Sequence, residues 1–253
     1  MEVVVESKKF MDILTVARLG GELDRAQMIF EQDGVKVHVV NPAKTLGCYA
    51  KFKESYFNSY NVEDMVQVSI PLHKLWKILR QVSLDELSID VKGERIIFNN
   101  GAIEAPLLGY DASIEMESRY KFVETEFGGV LVTSKVTLDK YSHARIQVPK
   151  KVNFLDVENI VFVIENGSLA IYQEDEIGHK IKRTLAVSMD KHVNDARVTV
   201  DAALMKFAFG TLIGDECHIA VALDDNGVPL PIQLCDSTSD YVVCLVVAPK
   251  LDD

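Results

Sequence analysis

The apolar positions along the chain switch between two periods, and the order of the switches repeats. Near the start VVVE reads as a short strand. From Ser7 to about Leu19 a helix is predicted, because Phe10, Ile13, Leu14 and Ala17 recur at i, i+3, i+4 and i+7 and so share one face. AQMIFEQDGVKVHVV then reads as two strands around the hairpin signal Asp33-Gly34. After further strands a second helix is predicted from Leu72 to Val82, followed by a strand pair around Gly93. The second half follows the same order. GGVLVTSKVT reads as a strand, Leu138 to Val148 as a helix ended by Pro149, and NIVFVIENGSLAIYQ as a hairpin with Asn166-Gly167 at its turn. The stretch VTVDAALMKFAFGTLIGDECHIAVALDDNGVPLPIQL then mirrors VQVSIPLHKLWKILRQVSLDELSIDVKGERIIF as strand, helix and hairpin.

A period of this length points to an internal duplication. Two helices and many short strands in each half make the fold class α+β, with too few helices for the crossovers of a doubly wound sheet. The expected organisation is an N-terminal domain over residues 1–116, a connecting loop over 117–126 and a C-terminal domain over 127–253. The loop assignment rests on ESRYKFVETE, which is charged and lacks a helical period.

Composition changes this picture in two ways. Cys48, Cys217, Cys235 and Cys244 share no C-x-x-C spacing and sit in apolar, strand-like stretches, so buried reduced thiols and a reducing intracellular compartment are expected. No apolar run approaches the ~20 residues that span a bilayer, and MEVVVESKKF lacks the pattern of a secretory signal, so no membrane partner is expected. The net charge of −11 argues against a surface that coats nucleic acid all round, but not against one restricted cationic face. Met65 to Leu84 contains no acidic residue. On a helical wheel Leu72, Leu75, Leu79 and Val82 fall together, with His73, Lys77 and Arg80 opposite and Lys74 at the margin. Solvated faces ordinarily mix both signs, so this one-signed stripe suggests a surface for phosphates. The other predicted helices add Lys8, Lys9 and Arg18, then Lys140 and Arg145, and finally Lys206. Aromatic residues do not interleave with these charges, which favours contact with a duplex backbone over stacking on single strands.

Catalytic signatures are absent: the chain has no Walker, dinucleotide-binding, nucleophile-elbow or zincin motif. Glu216-Cys217-His218 lies in a strand, where neighbouring side chains point to opposite faces, so neither a metal nor a cofactor site is expected there. A hydrolase on a duplicated β-rich domain is the remote alternative.

The C-terminal segment VPLPIQL followed by YVVCLVVAPKLDD, the stretch DGVKVHVVNPAKT, the linker YKFVETEF and the basic helix LHKLWKILRQV occur in a telling order. In that order and spacing the chain resembles the proliferating cell nuclear antigen family of DNA sliding clamps over nearly its whole length. It departs from the family at Val40, Asn41, Pro42, Ala43 and Lys44, where the family carries a methionine, an aspartate and a histidine within its turn.

The resemblance implies the DNA-clamp fold, with helices lining a ring and sheets outside. It also implies a non-enzymatic processivity factor in DNA replication and repair that encircles duplex DNA without sequence preference. A homotrimer is implied, with one subunit of a hetero-oligomeric or checkpoint ring as the alternative. Edge strands near Tyr110–Glu117 and around Ile171–Lys182 would pair across subunits. The implied DNA-facing residues are Lys8, Lys9, Arg18, His73, Lys74, Lys77, Arg80, Lys140, Arg145 and Lys206. DNA polymerase, clamp loader, nuclease or ligase would dock by short peptides in a groove of Val40, Lys44, Tyr120, Phe122, Val123, Pro229, Val246, Ala248, Pro249 and Leu251.

Overall fold

The structure, a computed structural model, describes residues 1–81, 85–116, 120–124, 130–133, 136–148, 157–174, 180–184, 188–191 and 195–250. In the first half β1 (Glu2–Glu6) runs directly into α1 (Ser7–Ala17). β2 (Arg25–Glu31), β3 (Gly34–Val40) and β4 (Leu46–Lys53) form a meander, followed by the short β5 (Ser59–Asn61). Next come β6 (Val66–Pro71), α2 (Leu72–Gln81), β7 (Glu86–Lys92), β8 (Arg95–Phe98) and β9 (Ile103–Pro106). Between the halves β10 (Tyr120–Val123) and β11 (Val130–Thr133) pair as an antiparallel ribbon. The second half begins with β12 (Ser142–Gln147), β13 (Asn159–Glu165), β14 (Ser168–Glu174), β15 (Lys180–Thr184) and β16 (Ser188–Lys191). It ends with β17 (Ala196–Asp201), α3 (Ala202–Thr211), β18 (Glu216–Val221), β19 (Ile232–Ser237) and β20 (Tyr241–Val247).

The duplication is visible in the sheet orders. The first half has a sheet β5-β1-β7-β8-β9, and the second half has its counterpart β16-β12-β18-β19-β20. Likewise β6-β2-β3-β4 corresponds to β17-β13-β14-β15. The halves join where β4 pairs with β20, from Leu46↔Val247 to Phe52↔Tyr241, making one nine-stranded sheet. By the same correspondence the counterparts of β20 and β4 are β9 and β15, and each is the last strand of its sheet.

Amphipathic patterning explains the layers. Phe10, Ile13 and Leu14 of α1, Leu72, Leu75 and Leu79 of α2, and Met205, Ala208 and Phe209 of α3 share one core with inward residues of the sheets, such as Val37, Cys48, Ile219 and Leu245. α3 starts cleanly because Asp201 accepts hydrogen bonds from the amides of Ala203 (2.8 Å) and Leu204 (3.2 Å). β20 reads YVVCLVV without alternation because both its faces are covered, by the helix-bearing core below and by the β10–β11 ribbon above. All four cysteines are buried and none forms a disulfide.

The structure corrects several expectations. No helix occupies Leu138–Val148: Leu138–Lys140 forms a single 3-10 turn and Ser142–Gln147 is β12, paired with β18 over its whole length. Ala144 and Ile146 enter the core, while Arg145 is exposed on the opposite face. The segment SHARIQV satisfies either period, and the partner strand decides which one it adopts. Among the described residues the second half therefore has one α-helix where two were expected. α1 ends at Ala17 instead of Leu19, because Leu19 and Gly20 take positive φ (51° and 65°) in a 3-10 turn. A Cβ on Gly20 would lie 2.5 Å from the Phe207 carbonyl oxygen, so this glycine lets the end of α1 meet α3. The second-half turn falls on Asn166-Gly167, both at positive φ, as a type I′ hairpin needs. In the first half Glu31 pairs with Gly34, so that turn sits one residue earlier, on Gln32-Asp33. Of the expected edge segment Tyr110–Glu117, residues 110–116 pair within the chain only through the isolated bridge of Glu115 to Val39, Glu117 lies outside the described residues, and β9 is the last strand of its sheet. Within the connecting segment 117–126, the described residues Tyr120–Val123 form a strand of the ribbon.

The strand assignment makes a sharp expectation about neighbours. Ile146→Ala should cost about 2–4 kcal/mol in urea unfolding, whereas Arg145→Ala should stay within about 0.5 kcal/mol. Comparable losses at the two positions would contradict β12.

Candidate functional site

Two surfaces gather the sequence-predicted residues. The first is the solvent side of the helix layer. Arg18, just after α1, lies with its guanidinium 5.1 Å from the centre of the Trp76 ring of α2, a contact worth ~0.5–2 kcal/mol. Lys77 follows on the next position of α2 and is exposed, as are Lys8 on α1 and Lys206 on α3. Arg18, Trp76 and Lys77 border one depression together with Glu22 and Asp24, so the face is cationic but not purely so. Lys9 is turned aside: its ammonium donates to the Tyr56 carbonyl (3.3 Å), lies 3.4 Å from Glu6 and sits over the Tyr56 ring. His73, Lys74 and Arg80 fall on α2, but their side chains lie outside what the structure describes.

Lys140 and Arg145 do not join this layer. Lys140 sits in the 3-10 turn and pairs with Asp225 at 2.6 Å, in the connection between β18 and β19. Arg145 points away from the core that carries the helices. Trp76 was missed by the sequence reading, which counted no aromatic partner among the cations; its place beside Lys77 in LHKLWKILRQV was the available signal.

The second surface is a groove on the opposite face of the nine-stranded sheet. Val40, Lys44, Thr45, Gly47, Met116, Tyr120, Pro231, Val246 and Ala248 line it. The floor follows from register, since Val40 of β3 and Val246 of β20 flank Gly47 of β4. The turn beyond β3 is held by Asn41, whose side-chain oxygen accepts from the amides of Thr45 (2.8 Å) and Leu46 (3.0 Å). That turn presents exposed Lys44 at the rim, with φ of 57°. A Cβ on Gly47 would stand 3.4 Å from the Met116 Cε, in van der Waals contact with the thioether that lines the groove.

Thus Val40, Lys44, Tyr120, Val246 and Ala248 come together in one groove. Phe122 lies beside the groove, stacked on Tyr49, and Val123 pairs with Val130. Pro229 bridges to Leu223, and Pro231 of the same VPLPIQL segment takes the wall position. Pro249 is half-buried between Ala248 and Lys250, and Leu251 lies outside the described residues. Thr45, Gly47, Met116 and Pro231 were not anticipated; only Met116, an apolar residue in the charged run SIEMES, offered a local signal.

Among the described residues no group of three or more His, Cys, Asp or Glu side chains is arranged to hold a metal ion. No described helix is long and apolar enough to cross a membrane. Burial pushes the Cys48 and Cys217 thiols well above their ordinary range, the opposite of what a nucleophile requires.

No protein-family model matches the sequence. The chain is 22% identical over 167 residues to DNA polymerase sliding clamp 2 of Sulfolobus acidocaldarius, a match that spans 63% of this chain and 62% of that protein. Solved structures match over almost the full length. Proliferating cellular nuclear antigen from Entamoeba histolytica has a TM-score of 0.74 at 15% identity, covering 99% of this chain and 98% of that one. The PCNA2–PCNA3 complex of Sulfolobus tokodaii has a TM-score of 0.72 at 17% identity, covering 99% of each chain. A. fulgidus PCNA bound to the C-terminal region of FEN-1 has a TM-score of 0.70 at 14% identity, covering 100% of this chain and 99% of that one. The chain has the fold of these clamps from end to end.

Because the chain has a single tryptophan, its fluorescence reports on the helix layer alone. Arg18→Ala should expose one face of the Trp76 indole and shift emission to longer wavelength while circular dichroism is unchanged. An unshifted spectrum would mean that Arg18 does not cover the ring in solution.

Proposed function

We propose that this chain is a sliding clamp: a ring-forming processivity factor that encircles duplex DNA and tethers other proteins to it, with no catalytic step of its own. The observation that carries the reading is the open pair of sheet ends. β4 and β20 join the halves within the chain, and their counterparts β15 and β9 end the four-stranded and the five-stranded sheet. Head-to-tail pairing of β15 with β9 of a second copy would repeat the internal junction. Such a heterologous contact closes into a ring when the rotation permits. It would also remove both edges, which otherwise offer unpaired backbone groups to any passing strand.

In such a ring the helix layer faces inward, and Lys8, Arg18, Lys77 and Lys206 approach phosphates. A few cations per chain give weak, salt-sensitive and sequence-independent attraction, which keeps the clamp mobile along DNA. The organisation we propose is an N-terminal unit to about residue 116, a connecting segment that contains β10, and a C-terminal unit. The outer groove would take a short peptide with aliphatic and aromatic anchors, as polymerases, nucleases, ligases and loaders of DNA use. The likeness to A. fulgidus PCNA with a FEN-1 segment supports this part of the reading. Three copies in a ring is the arrangement we favour, working with DNA inside the cell. A mixed ring is the second reading, supported by the likeness to the PCNA2–PCNA3 complex. Solution mass separates the two, since only a self-sufficient ring gives a trimer from the pure chain.

Encirclement has a topological consequence. Once loaded, the protein should remain on closed circular DNA and leave a linear fragment through its ends at the same salt concentration. Equal retention on both would mean ordinary electrostatic binding. Lys77→Glu should preserve fold and mass but reduce the log–log salt slope of DNA binding by about one per chain. An unchanged slope would take Lys77 off the DNA-facing surface.

A further inference from the structure

The outer face of the nine-stranded sheet carries two adjacent rows of side chains, set by register across β3, β4, β20 and β19. The first row is Val40↔Gly47↔Val246↔Gln233 and forms the groove floor up to Val246. The second row, two residues along each strand, is His38↔Tyr49↔Cys244↔Cys235. Nothing in this second row lines the groove. The β10–β11 ribbon is seated on it and on the Gln233 end of the first row.

Two contacts seat the ribbon. The Phe122 ring of β10 stacks on Tyr49 with centroids 4.6 Å apart and planes 13° from parallel, and Tyr49 is backed by His38 at 4.6 Å. On the other strand of the ribbon, buried Gln233 accepts from the Leu131 amide at 2.8 Å and donates back to the Leu131 carbonyl. Leu131 itself shares one buried cluster with Cys235, Val242, Cys244 and Val246. Tyr120, two residues before Phe122 and on the same face of β10, is thereby brought to the groove wall.

We propose that Tyr49 is a positioning residue for the groove: it fixes the β10–β11 ribbon on the sheet through Phe122 and so sets the wall that a docking peptide meets. This rests on the groove reading above and adds a residue outside the groove to it. The physical reason is pre-organisation. A wall that is already seated need not be ordered when the peptide binds, so less of the interaction energy is lost to ordering. The strength of one aromatic stack sets the size of the effect.

The test uses the full chain and two readouts. One is calorimetric affinity for a synthetic peptide carrying a glutamine, an aliphatic residue and two aromatics. The other is amide hydrogen exchange of Tyr120–Val123. Tyr49→Ala should weaken the peptide roughly 3- to 10-fold and speed exchange in β10 by a similar factor. Tyr49→Phe, which keeps the stack, should restore both. Phe122→Ala approaches the same contact from the ribbon and should reproduce the loss, which covers the case in which Tyr49→Ala does not fold. Unchanged β10 exchange in a folded Tyr49→Ala protein overturns the proposal, as does faster exchange that Tyr49→Phe fails to restore. Should the peptide not bind wild-type protein at all, the groove reading fails, and the exchange data alone then decide the role of Tyr49.

Discussion

The structure depends on the junction of β4 with β20. Seven successive residues of each strand pair there, from Leu46↔Val247 to Phe52↔Tyr241. The backbone bonds themselves contribute little, about 0.5–1.5 kcal/mol each after exchange with water. What the junction does is merge two sheets, so that the core beneath is continuous from Phe10 and Leu75 in the first half to Met205 and Leu245 in the second. The helices can then form one layer, in which α1 meets α3 at Gly20 and meets α2 through Arg18 and Trp76.

The same junction creates the outer site. Gly47 and Val246 are 199 positions apart in the chain, yet they face each other across it and share the floor of the groove. The ribbon between the halves covers the neighbouring row, which is why β20 is apolar on both faces. A connection that has to leave one half and enter the other thus doubles as a wall. Its aromatic residues are not stray hydrophobics in a charged segment: Phe122 has Tyr49 beneath it, and Tyr120 has the groove.

Charge is divided by the same architecture. The protein is strongly acidic overall, and exposed cations on the helix layer stand apart from that background at Lys8, Lys77 and Lys206. Several other lysines are engaged locally, such as Lys140 with Asp225 and Lys250 with Glu158. A restricted cationic face on an acidic body suits contact that must hold a polyanion without fixing it in place.

The sequence by itself determined the repeated order of strands and hairpins, the inward faces of α1 and α2, and the exposed position of Lys77. These follow from local periodicity, which a single segment carries without reference to its partners. Tertiary structure decided the rest. SHARIQV became β12 because β18 was available to pair with it, although the segment also fits a helical period. Arg145 was thereby placed on the sheet face away from the helices, and Lys140 beside Asp225. Met116, Gly47 and Pro231 entered the groove, and Phe122 moved next to it, through contacts between segments distant in the chain. Register governs such contacts: a shift of one residue would turn Gly47 and Tyr49 into the core and Cys48 outward, and no local pattern in LGCYAKFK specifies which partner strand sets it.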